Sequence, residues 1–193
     1  MELFSDIYNI NNSNVKCSVC YKTNKDLIKS YSDYSCRDCY NKEISFIREE
    51  TFKRSTFDPQ ISQITDKVYL GNSDGALEKE LLKSKGITHI LICASYIPDY
   101  YPNDFKYLQL LLQDDQNQKL TEYFPVANKF IEEAKGVYVH CAAGVSRSAS
   151  IVIAYLMVIN KWDFEKAFEY VKLKRKQIDP NPSFINQLKE LKI

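Results

Sequence analysis

Nine consecutive residues, His140-Cys141-Ala142-Ala143-Gly144-Val145-Ser146-Arg147-Ser148, limit what this chain can become more than any other stretch. A short apolar run, Val137-Tyr138-Val139, leads into them, and a longer, mostly apolar run, Ala149 to Ile159, leads out. That pattern predicts a strand, a tight loop and a buried helix. A loop of this size gathers its backbone N–H groups around one point at the positive end of the helix that follows. Such a nest holds a phosphate-like dianion. Ala142, Ala143, Gly144, Val145 and Ser146 supply the nest. Arg147 adds a two-pronged guanidinium grip on two phosphate oxygens, which lysine could not copy. Cys141 lies at the bottom of the same positive field, where thiols have pKa values of about 3.5–7.5 instead of about 8.5. A thiolate beneath a bound phosphate is a nucleophile aimed at phosphorus. The bland alternative makes Cys141 a buried apolar residue and Arg147 a surface charge. It accounts for two residues but not for His140, Gly144, Ser148, the strand and the helix together.

The stretch resembles the HCxxGxxRS signature of cysteine-dependent protein phosphatases, and within them the small dual-specificity phosphatases. Segments beyond the loop carry the same resemblance. Ala154-Tyr155-Leu156-Met157 is similar to the family's AYLM segment, and Val68-Tyr69-Leu70-Gly71-Asn72 to its opening strand. Ile87-Thr88-His89-Ile90-Leu91 resembles its ITHxL strand, and Pro180-Asn181-Pro182-Ser183-Phe184 its PNxSF turn. The resemblance covers residues 59–193 in the family's order.

The length suits one ordinary domain with an appendage, and the 45% hydrophobic content is enough for a core. With 26 basic against 25 acidic residues, nothing marks nucleic acid or membrane as a partner. Ala149–Ile159 is far shorter than the roughly 20 residues that cross a bilayer. Met1-Glu2-Leu3 lacks a basic segment followed by an apolar one, and position 2 is not glycine, so neither secretion nor myristoylation is expected. The expected place is the cytosol or nucleus, where cysteines serve metal binding or catalysis more often than disulfides.

Residues 1–15 read as a poorly ordered lead-in. Residues 16–40 then bring Cys17-Ser18-Val19-Cys20 and, fifteen residues later, Cys36-Arg37-Asp38-Cys39. Two such pairs at this separation match a zinc site. Each turn points two sulfurs at one ion, and two turns complete a tetrahedron. The residues between, Tyr21–Ser35, can supply a short hairpin or loop. A segment this small depends on the metal for its folding energy, so Cys17, Cys20, Cys36 and Cys39 are expected to hold a structural zinc. Two disulfides, or free cysteines, are the alternatives. The module would bind a protein partner, support its neighbour, or both. Residues 41–58 form a linker with helical character, ended by Asp58-Pro59, since the residue before proline leaves the helical region.

Residues 59–193 alternate strands with helices, which implies an α/β fold with a central sheet flanked by helices and a ligand site beyond the carboxyl ends of the strands. Strands are expected over Ile64–Leu70, Ile87–Cys93, Phe105–Leu112 and Gly136–His140. Helices are expected over Ala76–Ser84, Leu120–Ala134, Ser148–Asn160, from Asp163 onward, and over Pro182–Leu191.

Hydrolysis by a thiolate takes two steps. Cys141 attacks and the leaving oxygen needs a proton; water then attacks the phosphocysteine and needs a base. One carboxyl group can serve both. Asp114 and Asp115 follow a strand end. The resemblance places the general acid nine and ten residues before an aromatic pair, and Tyr123-Phe124 meets that count from Asp114. Asp115 then reads as a solvated turn carboxylate. The resemblance also implies that Ser148 donates to the Cys141 sulfur and steadies it as a leaving group, although Ser148 is equally a candidate helix cap. His140 is expected to be buried and orienting, and His89 a packed strand residue. Arg147 and the nest meet the phosphate's charge, so catalysis needs no cofactor.

Two further residues have split readings. Arg175 falls where the resemblance implies a residue holding a second phosphate on the substrate, but Lys172, Lys174, Arg175 and Lys176 also read as a solvated basic face at a helix end. Cys93 is expected beside the strand leading to Cys141. There it can trap an oxidised Cys141 as a disulfide, as a cysteine in a comparable strand does in some relatives, or simply fill space. The expected activity is that of a dual-specificity protein phosphatase acting on phosphotyrosine and on phosphoserine or phosphothreonine in a phosphoprotein. The alternatives are a catalytically weak phosphoprotein-binding scaffold, which would not need the nucleophile, and a phosphatase of lipid or RNA phosphates, which would be expected to carry basic residues at Ala142, Ala143 or Val145.

Overall fold

The structure, a computed structural model, describes residues 27–29, 34–36, 39, 42 and 60–192. The chain divides into two compact units, Met1–Arg54 and Ser55–Ile193. In the first unit, strands β1 (Leu27–Lys29) and β2 (Tyr34–Cys36) form an antiparallel pair with Leu27 opposite Cys36. The pair begins between the two cysteine pairs, where a hairpin or loop is expected, and ends on Cys36, the first cysteine of the second. Cys39 is half-buried. Cys17, Cys20 and nearly all of the proposed linker helix lie outside the described residues, so the four-cysteine site does too.

The second unit is built on a five-stranded sheet of β3 (Ile61–Gln63), β4 (Val68–Gly71), β5 (His89–Ile92), β6 (Lys106–Gln109) and β7 (Val137–His140), in the order β3-β4-β7-β5-β6. Only β3 is antiparallel to its neighbour. Every residue of β4, β5 and β7 is buried, as suits parallel strands covered on both faces. Side chains alternate across the sheet. Val137, Val139 and Cys141 join the core on one face, with Val68, Leu70, Leu91 and Cys93. Tyr138 joins the other, with Tyr69, Ile90 and Ile92.

Helices α2 (Phe124–Glu133), α3 (Arg147–Asn160), α4 (Phe164–Lys174) and α5 (Pro182–Lys189) cover the first face, and the short α1 (Lys79–Ser84) lies with the second. Helix α3 is buried without a break from Arg147 to Met157. It is therefore a core helix wrapped on all sides, which holds its first residue in a fixed place. Asp163 Oδ1 caps α4 by accepting from the Lys166 N–H at 2.9 Å, as its residue type predicts. Asn181 Oδ1 caps α5 in the same way through Phe184 N–H at 3.0 Å.

Three elements differ from expectation. The single strand expected over Ile64–Leu70 is a hairpin, because Thr65 turns the chain. Its Oγ1 accepts from Val68 N–H at 3.0 Å, and the Ile64 and Thr65 N–H groups both donate to Val68 O. The helix expected over Ala76–Ser84 breaks at Glu78, whose ψ of 65° separates a 3-10 turn, Gly75–Leu77, from α1. Helix α2 begins at Phe124, later than Leu120, with Pro125 in its first turn, where its missing N–H is harmless.

Candidate active site

The strand β7 delivers Cys141 to its carboxyl end, and α3 begins at Arg147. The loop between them is shaped from outside by residues that seize its carbonyl oxygens. Ser73 N–H and Oγ donate to Ala142 O at 2.9 and 3.2 Å. Arg175 donates from Nη2 to Ala143 O at 3.1 Å and from Nε to Gly144 O at 2.8 Å. Asp179 N–H donates to Val145 O at 2.9 Å. In a planar trans peptide the carbonyl of one residue and the N–H of the next point opposite ways. Four carbonyls held outward therefore turn the N–H groups of Ala143, Gly144, Val145 and Ser146 inward. The Gly144 N–H shows which way inward is: it lies 3.3 Å from Cys141 Sγ. Gly144 adopts φ +66°, and a Cβ there would collide with the carbonyl oxygen of Gly71. Only glycine lets the loop close this tightly against β4.

Cys141 is buried and also accepts from Ser148 Oγ at 3.2 Å. Ser148 is the second residue of α3, and the helix N-cap is Ser146, so the hydroxyl of Ser148 serves the sulfur and not a cap. Arg147 is 7% exposed. Its Nη1 lies 3.5 Å from Leu112 O and its Nη2 donates to the Tyr96 hydroxyl at 3.1 Å. Its Nε is buried with no hydrogen-bond partner, although Asp114 Oδ2 stands 3.7 Å away. Burial works against the charge of Arg147, but the Tyr96 hydroxyl, with Cys141 and Asp114, more than offsets it and holds its pKa above the ordinary value.

Asp114 follows β6 and is reached from two directions. Ser146 Oγ donates to its Oδ1 at 2.7 Å and Asn181 Nδ2 at 2.8 Å, while Asn181 N–H donates to Ser146 Oγ at 3.1 Å. Oδ1 thus takes two donors, while Oδ2 is the oxygen that faces Arg147 Nε at 3.7 Å. Asp115 instead accepts from the N–H groups of Asn117 and Gln118 at 2.7 and 3.0 Å. That makes it a turn carboxylate.

His140 is buried, stacks on Tyr138 with ring centroids 5.2 Å apart, and has Nδ1 3.2 Å from Cys141 O. Burial pushes its pKa down to about 4, so the ring is neutral at physiological pH. His89 packs edge-on against Phe130. Cys93 and Cys141 stand one position beyond the paired residues Ile92 and His140 on adjacent strands, and the Cys93 N–H donates to His140 O at 2.7 Å. Burial, and the nearby Cys141, push the Cys93 thiol well above its ordinary range.

Arg175 departs from its expected place. It is 1% exposed, and besides the two loop carbonyls it donates to Gln60 O at 3.0 Å. Its guanidinium sits behind the loop, not on the side that faces a substrate. Lys174 and Lys176 are the solvated members of that basic run. The residues absent from the expected set are Ser73, Tyr96 and Asn181. Asn181 lies within a segment that carries the family resemblance. Nothing local in the sequence marks Ser73 or Tyr96.

The assembly can hold a tetrahedral dianion over a thiol, with a carboxyl group at one side. Residues 68–193 match the family described as dual specificity phosphatase, catalytic domain. Protein-tyrosine-phosphatase MKP1 of Arabidopsis thaliana is 42% identical over 141 residues, 70% of this chain but 18% of the relative. Dual specificity protein phosphatase 1B of the same plant is 41% identical over 134 residues, 67% of this chain and 80% of the relative. Among solved structures, the human tyrosine phosphatase-like serine/threonine/tyrosine-interacting protein superposes with a TM-score of 0.64 at 35% identity, over 67% of this chain and 93% of that one.

Proposed function

The chain belongs to the dual specificity phosphatase family through residues 68–193, and on that premise we propose that it hydrolyses phosphotyrosine and phosphoserine or phosphothreonine on proteins through a phosphocysteine at Cys141. The observation that carries this reading is Arg147 Nε, a buried donor without a hydrogen-bond partner, beside a thiol that accepts from the Gly144 N–H and the Ser148 hydroxyl. A phosphate oxygen is the acceptor such a donor calls for.

In the first step the Cys141 thiolate attacks phosphorus. Two phosphate oxygens lie on Arg147 and the remaining one on the inward N–H groups of Ala143 to Ser146. The proton on Asp114 passes to the leaving oxygen. In the second step water attacks the phosphocysteine, Asp114 takes its proton, and the Ser148 hydroxyl receives the departing thiolate. His140, buried with its ring stacked on Tyr138 and its Nδ1 at Cys141 O, orients the loop and takes no proton in either step. The charge of the transferring group is met by Arg147 and the N–H groups, so this mechanism uses no catalytic metal. A binding scaffold has no use for a nucleophile and a carboxyl group placed together. Acid-quenched protein after brief mixing with a phosphopeptide tests the reading: phosphate should be found on Cys141, and the Cys141→Ser protein should bind vanadate yet turn nothing over. Undiminished turnover by Cys141→Ser would sink it.

For the first unit, the spacing of Cys17, Cys20, Cys36 and Cys39 supports a structural zinc and a role in binding a protein partner. Metal analysis of protein purified without chelators should find one zinc per chain. No catalytic step depends on it.

A further inference from the structure

Tyr96 touches the phosphate-gripping arginine and has no part in the two steps above. It sits in the segment between β5 and β6, where Cys93, Ala94, Ile97 and Tyr100 are all buried and Tyr96 is 49% exposed. That segment is fastened on both sides of it. The amide of Gln109 donates to Ala94 O at 2.9 Å and to Ile97 O at 2.8 Å. Further along, the Tyr101 hydroxyl donates to Leu77 O at 2.5 Å, and Asp104 is paired with Lys79 and Lys83. The backbone around Tyr96 is thus set by contacts that do not involve its ring. The ring itself lies with its centroid 5.5 Å from the Arg147 guanidinium carbon, and its hydroxyl accepts from Nη2.

A guanidinium has five N–H donors. Tyr96 takes one hydrogen of Nη2, and Leu112 O faces Nη1. Nε–H and the second hydrogen of Nη2 are left for two phosphate oxygens. A substrate so held carries its own side chain out of the loop past the exposed part of the Tyr96 ring. The loop residues themselves, Ala142, Ala143 and Val145, offer no aromatic surface.

We propose that Tyr96 is a specificity-determining residue: its ring is the wall against which the substrate's aromatic ring packs, so the site favours aryl phosphates, phosphotyrosine, over the alkyl phosphates of serine and threonine. This rests on the phosphoprotein phosphatase reading and sharpens it. An alkyl phosphate gains nothing from the wall, whereas an aromatic pair in offset or edge contact is worth enough to change kcat/KM by roughly threefold to tenfold.

The test uses the full chain and two peptides of identical flanking sequence, one with phosphotyrosine and one with phosphothreonine. Wild type should prefer the phosphotyrosine peptide. Tyr96→Ala loses the contact with Arg147 for either peptide, so the readout is the ratio: kcat/KM for the phosphotyrosine peptide should fall about fivefold further than for the phosphothreonine peptide, mostly through KM. Tyr96→Phe keeps the ring and loses the hydroxyl, so it should retain the wild-type ratio. Equal losses on both peptides in Tyr96→Ala would reduce Tyr96 to a prop for Arg147 and overturn the proposal, as would a ratio in Tyr96→Phe that matches Tyr96→Ala. Wild type that hydrolyses neither peptide would overturn the underlying function, an outcome distinct from an altered ratio.

Discussion

Asn181 does two things with one side chain: its oxygen caps the last helix through Phe184 N–H, and its nitrogen donates to Asp114 Oδ1 at 2.8 Å. The carboxyl group proposed as general acid is thereby tied to the end of α5. Asp114→Asn should lower turnover by about a hundredfold or more for alkyl and poor aryl leaving groups, and far less for an ester whose leaving group needs no proton. Asn181→Ala should show the same leaving-group dependence in weaker form, roughly tenfold, with about 1 kcal/mol of stability lost from the cap. If Asp115→Asn shows that dependence and Asp114→Asn does not, the carboxylate is misassigned.

Arg175 braces the loop from behind, so its replacement should act on every substrate alike. Arg175→Lys keeps a charge but cannot reach Ala143 O, Gly144 O and Gln60 O with one fork. It should lower kcat/KM at least tenfold and also lower Tm, since the buried Gly144 carbonyl left without its donor costs about 1–3 kcal/mol. Singly and doubly phosphorylated peptides should suffer equally. A loss confined to the doubly phosphorylated peptide would restore the second-phosphate role.

His140 ties stability to pH. Burial holds its folded pKa at about 4, against 6.5 for an exposed ring. Between those values the unfolded chain accepts a proton that the folded chain refuses. The stability associated with this residue is therefore full above about pH 6.5, declines as pH falls towards 4, and is level below that. The loss is on the order of 3 kcal/mol. Urea midpoints at pH 7.5 and 4.5 should differ more for wild type than for His140→Asn. An equal difference in the two proteins would exclude this origin.

Cys93 and Cys141 lie on neighbouring strands, which run about 4.8 Å apart, within the separation a disulfide spans. Both belong to the same face of the sheet. Peroxide would convert the Cys141 thiolate to sulfenic acid, and attack by Cys93 would expel water and leave a disulfide. Wild type treated with peroxide and then reductant should recover activity, and a Cys93–Cys141 peptide should appear by mass spectrometry before reduction. Cys93→Ser should recover less. Because burial keeps the Cys93 thiol protonated, the trap should be slow next to the first oxidation. Equal recovery with no linked peptide leaves Cys93 as packing.

Much of what depends on neighbours in sequence is legible in it, with the turn at Thr65 and the break at Glu78 as local exceptions. The strand, loop and helix around Cys141, the cap at Asp163 and the turn role of Asp115 each follow from a few adjacent residues. What else is not legible joins distant ones. Tyr96 meets Arg147 across 51 positions and Asn181 meets Asp114 across 67. No local pattern encodes such a meeting. Arg175 misled for a related reason. Its place in a basic run suggests a solvated face, but at the end of α4 the backbone turns extended, with φ −140° and ψ 91°. That turn carries this one side chain inward while Lys174 and Lys176 stay in water.

The outward anchoring of the loop carbonyls has a consequence for the life of the chain before it is finished. Ser73 grips a residue 69 positions away, and Arg175 grips residues 31 and 32 positions away. Their elements meet only when the sheet and its helices have closed. A partly folded or truncated chain has the cysteine but not the ring of donors around it. Competence should therefore arrive all at once, at the last stage of folding, and vanish at the first stage of unfolding. A nascent chain on the ribosome, or one being threaded into a protease, carries an ordinary thiol and no phosphatase.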